Sequence, residues 1–213
     1  MKVAIYSALY GDYEEPKPLP DLGVEAIMYT DNPDLQAPGW TVRHQLLMDA
    51  DTPPMMLAKY WKCHPEVAMP DADVSLWLDA SMTVLVDDYV QRCLDVLGDD
   101  DWVMAPHPDR TCVYDEADFS ALLPRYEGAR LHEQAEFYRG IGHPAKWGLF
   151  ANGANVRRHT PAVAEVCEQW WWECQNRSWQ DQVSLPVLVR LAGKRLRWNA
   201  NMPWATWWSV GWH

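Results

Sequence analysis

Short apolar runs of strand length alternate with helical stretches along the first half of this chain, and that alternation narrows the fold more than any other feature. Residues 2–9, KVAIYSAL, form an apolar run ended by Tyr10-Gly11-Asp12. An acidic, proline-bearing loop follows at 12–21. VEAIMY at 24–29 alternates like a second strand until Thr30-Asp31-Asn32-Pro33 stops it. A third strand is expected at 40–45. Pro53-Pro54 then opens a helix over 55–64, with proline in the first turn, where it is tolerated. VSLWL at 74–78 reads as a buried strand, followed at once by Asp79-Ala80-Ser81. Beyond it the pattern predicts a helix at 88–97, a strand at 102–105, helices at 116–123 and 131–140, and a glycine-kinked strand over 147–157. Helices over 160–174 and 180–191 follow, and a Trp-rich tail, 192–213, is expected to be irregular and to pack on the rest. Strands alternating with helices predict an α/β fold, a Rossmann-like, mostly parallel central sheet flanked by helices, in one domain over 1–213.

Composition then removes several functions. A chain of 213 residues with 48% hydrophobic and 23% charged residues is neither disordered nor fibrous. The net charge of -12 repels anionic membranes and disfavours duplex nucleic acid as a partner. Five cysteines without a CxxC pair argue against a disulfide framework and for a reducing compartment. The start reads as a strand rather than a signal peptide, and no apolar run has the length of a membrane span, so a cytoplasmic location is expected. Tryptophan is abundant, 14 residues, and packing explains most of it; the sharper reading is a platform for flat ligands such as sugar rings.

In a parallel sheet, ligands bind beyond the carboxyl ends of the strands. The clusters Tyr10-Gly11-Asp12, Thr30-Asp31-Asn32 and Asp79-Ala80-Ser81 should therefore converge on one edge. Gly11 allows close backbone approach to a ligand. Asp31 suits ribose hydroxyls or a base edge, and Asp79, after a central strand, suits a divalent cation held against a pyrophosphate. Lys59 and Lys62 share one helical face and either neutralise a diphosphate or face solvent. His107 and Arg110 follow a strand; the planar fork of Arg110 suits a phosphate or carboxylate, and Glu116 is placed to steady Arg110 or Lys62. Asn152 and Asn155 either offer amides to sugar hydroxyls or serve the turn around Gly153. Arg157 would add a phosphate contact, and Arg158 and His159 face solvent. Asp181 begins a helix, where the dipole favours an anion, so a simple cap accounts for it. Asp71-Ala72-Asp73 and Asp99-Asp100-Asp101 precede strands and read as solvated loop carboxylates at the opposite edge.

An ordered set of stretches gives a resemblance: KVAIYSALYGDYEE, YTDN, the lysines of KYWKCHP, DADVSLWLDAS, HPDR with CVYDEA, GLFANGANVRRH, and WWWECQNRSWQDQVSLPVL. With them the chain resembles the glycosyltransferase-like family typified by plant mucilage-synthesis and turgor-regulation proteins, from residue 2 to about 190. The resemblance implies a GT-A-like sheet, distantly similar to glycogenin-type transferases, that binds a nucleotide sugar. It implies a functional role for Lys59 and Lys62. It also implies that the pair Asp181-Gln182 faces the anomeric carbon, with Asp181 catalytic and Gln182 orienting the sugar. The metal motif of such folds is Asp-x-Asp, whereas this chain has Asp79-Ala80-Ser81, with a single carboxylate.

The expectation is a glycosyltransferase, moving a hexose or pentose from a nucleoside-diphosphate sugar, a uridine nucleotide, to an acceptor that is a glycan, a protein or a small molecule. Tyr10, Gly11, Thr30, Asp31, Lys59, Lys62, Ser81, His107, Arg110, Asn152 and Arg157 would hold the donor. Asp79 would hold Mn2+ or Mg2+, since no Cys/His spacing suits zinc. Two other readings stay open: a noncatalytic nucleotide- or glycan-binding module, favoured by Ser81 in place of a second carboxylate, and a sugar-nucleotide hydrolase using Asp79 and Asp181.

Overall fold

The computed structural model describes residues 1–11, 14–45, 51–203 and 206–210. Asp12 of the first expected cluster, and Trp204 and Trp212 of the tail, lie outside the described residues.

The strands are β1 (Val3–Leu9), β2 (Glu25–Thr30), β3 (Thr41–His44), β4 (Val74–Leu78), β5 (Met82–Val84), β6 (Trp102–Pro106), β7 (Phe150–Arg158), β8 (Trp198–Asn199) and β9 (Trp208–Val210). The helices are α1 (Pro54–Cys63), α2 (Pro65–Ala68), α3 (Tyr89–Leu97), α4 (Val113–Ser120), α5 (Leu131–Gly140), α6 (Pro161–Asn176) and α7 (Asp181–Ala192). The main sheet has the order β3-β2-β1-β4-β7-β6-β8. Its neighbours are parallel except at β7, which runs antiparallel to both β4 and β6. The expected mostly parallel sheet is thus observed, with one reversed strand inside it. The tail departs from expectation: β8 joins the main sheet, and β9 pairs antiparallel with β5.

Central strands covered on both faces read as nearly continuous apolar runs, because both alternating sets of side chains are buried. In β1, Ile5 enters one core with Leu76, Val103 and α3 residues Tyr89, Cys93 and Leu97. Ala4, Tyr6 and Ala8 face the other side, against Leu57 and Trp61 of α1. Helices α6 and α7 extend that second layer through Trp170, Leu185 and Val189. Helix α6 starts where Thr160 accepts a bond from the Val163 amide (3.3 Å) and Pro161 supplies a preset φ. All five cysteines are buried and free. Among the described residues no helix is long and apolar enough to cross a membrane.

The strand order reverses at β1. From β1 the chain builds β2 and β3 on one side, then returns to lay β4 on the other. Such a switch point leaves a crevice beyond the strands' carboxyl ends, where neighbouring connections diverge.

Candidate functional site

A cavity of ≈ 750 Å³ occupies that crevice. Ala8, Tyr10 and Gly11 line it from the end of β1, and Trp77, Asp79, Ala80 and Ser81 from the end of β4. Gly11 adopts φ 72°, a left-handed conformation that glycine takes without strain. Its amide donates to both carboxylate oxygens of Asp31, each at 3.1 Å. Asp31 thus reaches the site by holding the Gly11 turn and is not itself on the cavity wall. Asp79 is fixed by its own amide, which donates to the Gly153 carbonyl (2.8 Å). A Cβ at Gly153 would lie 2.9 Å from Met82 Sδ and 3.4 Å from Asp79 Oδ2, so the glycine leaves room for both.

Helix α1 supplies the charges. Lys59 and Lys62, three apart, both line the cavity. Lys59 Nζ lies 2.7 Å from Asp181 Oδ2, and Lys62 Nζ lies 3.3 Å from the same oxygen and 2.9 Å from Asp79 Oδ1. Asn152 Nδ2 donates to Asp181 Oδ1 at 3.4 Å, and Trp77 Nε1 donates to Asp79 Oδ1 at 2.7 Å. At Lys59, Lys62 and Asp181 burial works against the charge, and pairing outweighs it. Burial pushes the Asp181 carboxyl up, but the ammonium groups of Lys59 and Lys62 hold it well below the usual carboxylate range. Burial likewise penalises both lysines, yet Asp181, joined at Lys62 by Asp79, raises them above their ordinary value. The cluster thus gathers two lysine ammonium groups and two aspartate carboxyl groups.

Asp181 is the first residue of α7 and the acidic residue of its first turn, where the dipole favours an anion. Its carboxylate points to the lysines. Its carbonyl accepts from Trp170 Nε1 (3.1 Å) and Ser184 Oγ (3.3 Å), which pins the helix start. Asp181 is not among the residues lining the cavity, since Lys59 and Lys62 stand on the wall instead.

Several expected donor contacts are elsewhere. Thr30 is buried and its hydroxyl accepts from the Asn32 amide (3.1 Å), turning the chain rather than facing the cavity. His107 Nδ1 accepts from the amides of Asp109 (3.2 Å) and Arg110 (3.1 Å), and Arg110 donates to Glu116 at 2.5 Å. Neither lines the cavity; the expected Glu116–Arg110 pairing holds. Glu116 also accepts from Gln180 (2.8 Å) and Ser120 (3.0 Å), so this network braces the approach to α7. Gln180 in turn donates to Gln182 at 3.3 Å. Arg157 is 0% exposed and donates to the Lys62 carbonyl (2.7 Å), the Tyr6 hydroxyl and Cys167 Sγ (3.5 Å). Its expected phosphate contact is replaced by a tie to the last turn of α1. Asn155, also fully buried, bonds Trp102 and the Asn152 carbonyl rather than facing a ligand. Arg158 and His159, expected in solvent, bond the Asp100 carbonyl and Ser75.

The acidic runs part company as well. Asp71 and Asp73 sit at the opposite edge, paired with the Lys2 side chain and amide. Asp101 is buried and paired with Arg197 at 3.0 Å, and Asp100 accepts from Asn199 at 2.7 Å, so that run is only partly solvated. Among the described residues no group of three His, Cys, Asp or Glu side chains gathers as a metal site. Asp79 Oδ1 is taken by Lys62 and Trp77, while Oδ2 carries no hydrogen bond among the described residues. One open carboxylate oxygen, with Ser81 on the same wall, fits an oxygen-liking cation whose other ligands come from a diphosphate and water.

The wall also holds polar residues that the sequence reading did not single out as site residues: Glu14, within the first motif, and Arg125 and Tyr126, outside every motif. The last two belong to the turn Pro124–Tyr126, held by Trp179 Nε1 donating to the Arg125 carbonyl at 3.3 Å. An Arg-Tyr pair between two helices has no spacing that marks it. Of the tryptophans, Trp77 and Trp179 line the cavity, while Trp61, Trp102 and Trp170 are core.

Fold and site define an α/β domain with a charged crevice at its switch point. The profile of the TOD1/MUCI70 glycosyltransferase-like domain matches residues 59–205, and the chain belongs to that family. The match starts at Lys59, so the motifs of β1 and β2 lie before it. No curated protein matches the chain. Among solved structures the chain is similar to a glycosyltransferase involved in the glycosylation of the major capsid of PBCV-1, at 9% identity over 93% of this chain and 80% of that one, with a TM-score of 0.45. It is also similar to mouse xyloside xylosyltransferase 1 in its apo form, at 7% identity over 93% of this chain and 83% of that one, with a TM-score of 0.47.

Proposed function

We propose that the protein transfers a sugar from a nucleoside-diphosphate sugar, a uridine nucleotide, to a glycan, protein or small-molecule acceptor. The observation that carries this reading is the pair Lys59 and Lys62, a half-buried and a buried cation on the wall of a cavity at the sheet's switch point. Ammonium groups so placed beside open space suit a diphosphate, whose oxygens accept charge-assisted bonds. Tyr10 and the Gly11 turn, steadied by Asp31, would take the nucleoside. Asp79 and Ser81 would hold Mn2+ or Mg2+ beside the diphosphate, and the cation would neutralise charge on the departing phosphate. Asp181 would stabilise positive charge at the anomeric carbon, and Gln182 would orient the sugar. Trp179 and Tyr126 would shield the reacting bond from water.

A module that binds the nucleotide without turning it over is the second reading. It is favoured by Asp181, which stands off the cavity wall. A panel of sugar nucleotides, with and without Mn2+, separates the two. Transfer releases uridine diphosphate only with an acceptor, a hydrolase releases it without one, and a module releases none. The transfer reading fails if no sugar nucleotide is consumed under any of these conditions.

A further inference from the structure

Lys59 and Lys62 stand on the cavity wall, while the carboxylate they share does not. Asp181 Oδ2 is 2.7 Å from one ammonium and 3.3 Å from the other. To an ammonium, a carboxylate oxygen and a phosphate oxygen are equivalent partners, each accepting short charge-assisted bonds. Asp181 thus already occupies bonds that a diphosphate in the cavity would need. Lys59 makes no other ion pair among the described residues. Lys62 divides its charge between Asp181 and Asp79. The main chain of Asp181 is independently held by Trp170 and Ser184. Its side chain keeps one neutral donor, Asn152 Nδ2, at 3.4 Å. The lysines, at the ends of flexible stems, are therefore the parts free to turn, while the carboxylate stays.

We infer that Asp181 and the donor's diphosphate compete for Lys59 and Lys62, so that donor binding turns the two ammonium groups to phosphate and leaves Asp181 as an uncovered carboxylate. This rests on the reading of the cavity as a nucleoside-diphosphate site. In the free protein the Asp181 charge is spent on the lysines. With the donor in place it becomes available to the sugar, and Asn152 alone continues to hold it. Asp181 therefore acts against donor binding and for turnover.

The test is the affinity of Asp181→Asn for uridine diphosphate, measured by titration calorimetry. Removing the competing anion should tighten binding by roughly three- to tenfold, while turnover falls. Unchanged or weaker binding by a folded Asp181→Asn protein overturns the inference and makes Asp181 an anchor for the lysines; the donor site survives, because the wild type still binds. A wild type that binds no nucleoside diphosphate, with or without Mn2+, overturns both. Should Asp181→Asn not fold, a crystal structure of the wild type with uridine diphosphate decides. Lys59 Nζ is expected on a phosphate oxygen and away from Asp181, and a Lys59 still at its present 2.7 Å from Asp181 overturns the exchange.

Discussion

Lys59 and Lys62 keep their charges by pairing with Asp181 and Asp79 on the wall of an open cavity, whereas Arg157, fully buried in β7, keeps its charge with no carboxylate among the described residues. Its guanidinium uses the Lys62 carbonyl, the Tyr6 hydroxyl and the rings of Trp102 (5.2 Å) and Tyr6 (5.9 Å). The difference lies in what each partner can be exchanged for. An ammonium bound to a carboxylate beside open space can trade it for another anion. A guanidinium bound to neutral groups in a closed core has nothing to trade, and its work is structural. The two clusters meet at one atom, the Lys62 carbonyl, through which Arg157 holds the last turn of the helix that carries both lysines.

The largest effect that separates them is on stability. Arg157→Met should cost about 2–4 kcal/mol, because the Tyr6 hydroxyl and the Lys62 carbonyl lose a buried charged donor. Uridine diphosphate affinity of the folded fraction should stay within about twofold. A loss of affinity with the melting temperature intact would merge the two clusters. Next comes Asp79→Asn, which removes charge and keeps shape. Uridine diphosphate alone should still raise the melting temperature, and the extra rise given by Mn2+ should vanish. A variant that keeps the Mn2+ increment moves the cation elsewhere.

The smallest effect is on pH dependence. Burial, reinforced by Arg190, pushes His143 down to about 4, and burial, reinforced by Arg157, pushes His159 down to about 4. Both imidazoles return to an ordinary value of 6.5 in the unfolded chain. The unfolded state therefore takes up the protons first. The stability these groups contribute is complete above pH 6.5 and is lost as pH falls from 6.5 toward 4. The cavity cluster behaves differently. Asp181 is depressed from an ordinary carboxylate value, so its contribution is complete above that value, begins to fall as pH drops through it and the unfolded chain protonates, and is gone below its still lower folded value. Thermal melts should decline from pH 6.5 to 4, and Arg157→Met should soften the part due to His159. A flat profile there would contradict the burial assigned to these histidines.

Much of the fold was readable because its strands are covered on both faces. Apolar runs such as VSLWL and KVAIYSAL, each stopped by polar residues, mark the ends of β4 and β1 within a residue or two. Strand direction was not readable: nothing in FANGANVRR distinguishes an antiparallel β7 from a parallel one. The short strands β8 and β9 escaped because two or three residues carry no periodicity. In the site, Asp79 and Ser81 came from a strand end, which local sequence encodes; helix spacing put Lys59 and Lys62 on one face, and the family resemblance pointed to their role. Arg157 went astray because an arginine's partners are set by tertiary packing. The Lys59–Asp181 pair spans 122 positions and no local pattern announces it.

The central claim is that the carboxylate-paired lysines, and not the core arginine, receive a nucleoside diphosphate. Calorimetric titration of uridine diphosphate into the wild type, Lys59→Met, Lys62→Met and Arg157→Met tests it most directly, each protein first shown to be folded by circular dichroism. The wild type should bind at millimolar concentration or better, each lysine variant should lose roughly 10- to 100-fold, and Arg157→Met should match the wild type. Equal affinity in the wild type and both lysine variants would contradict the claim.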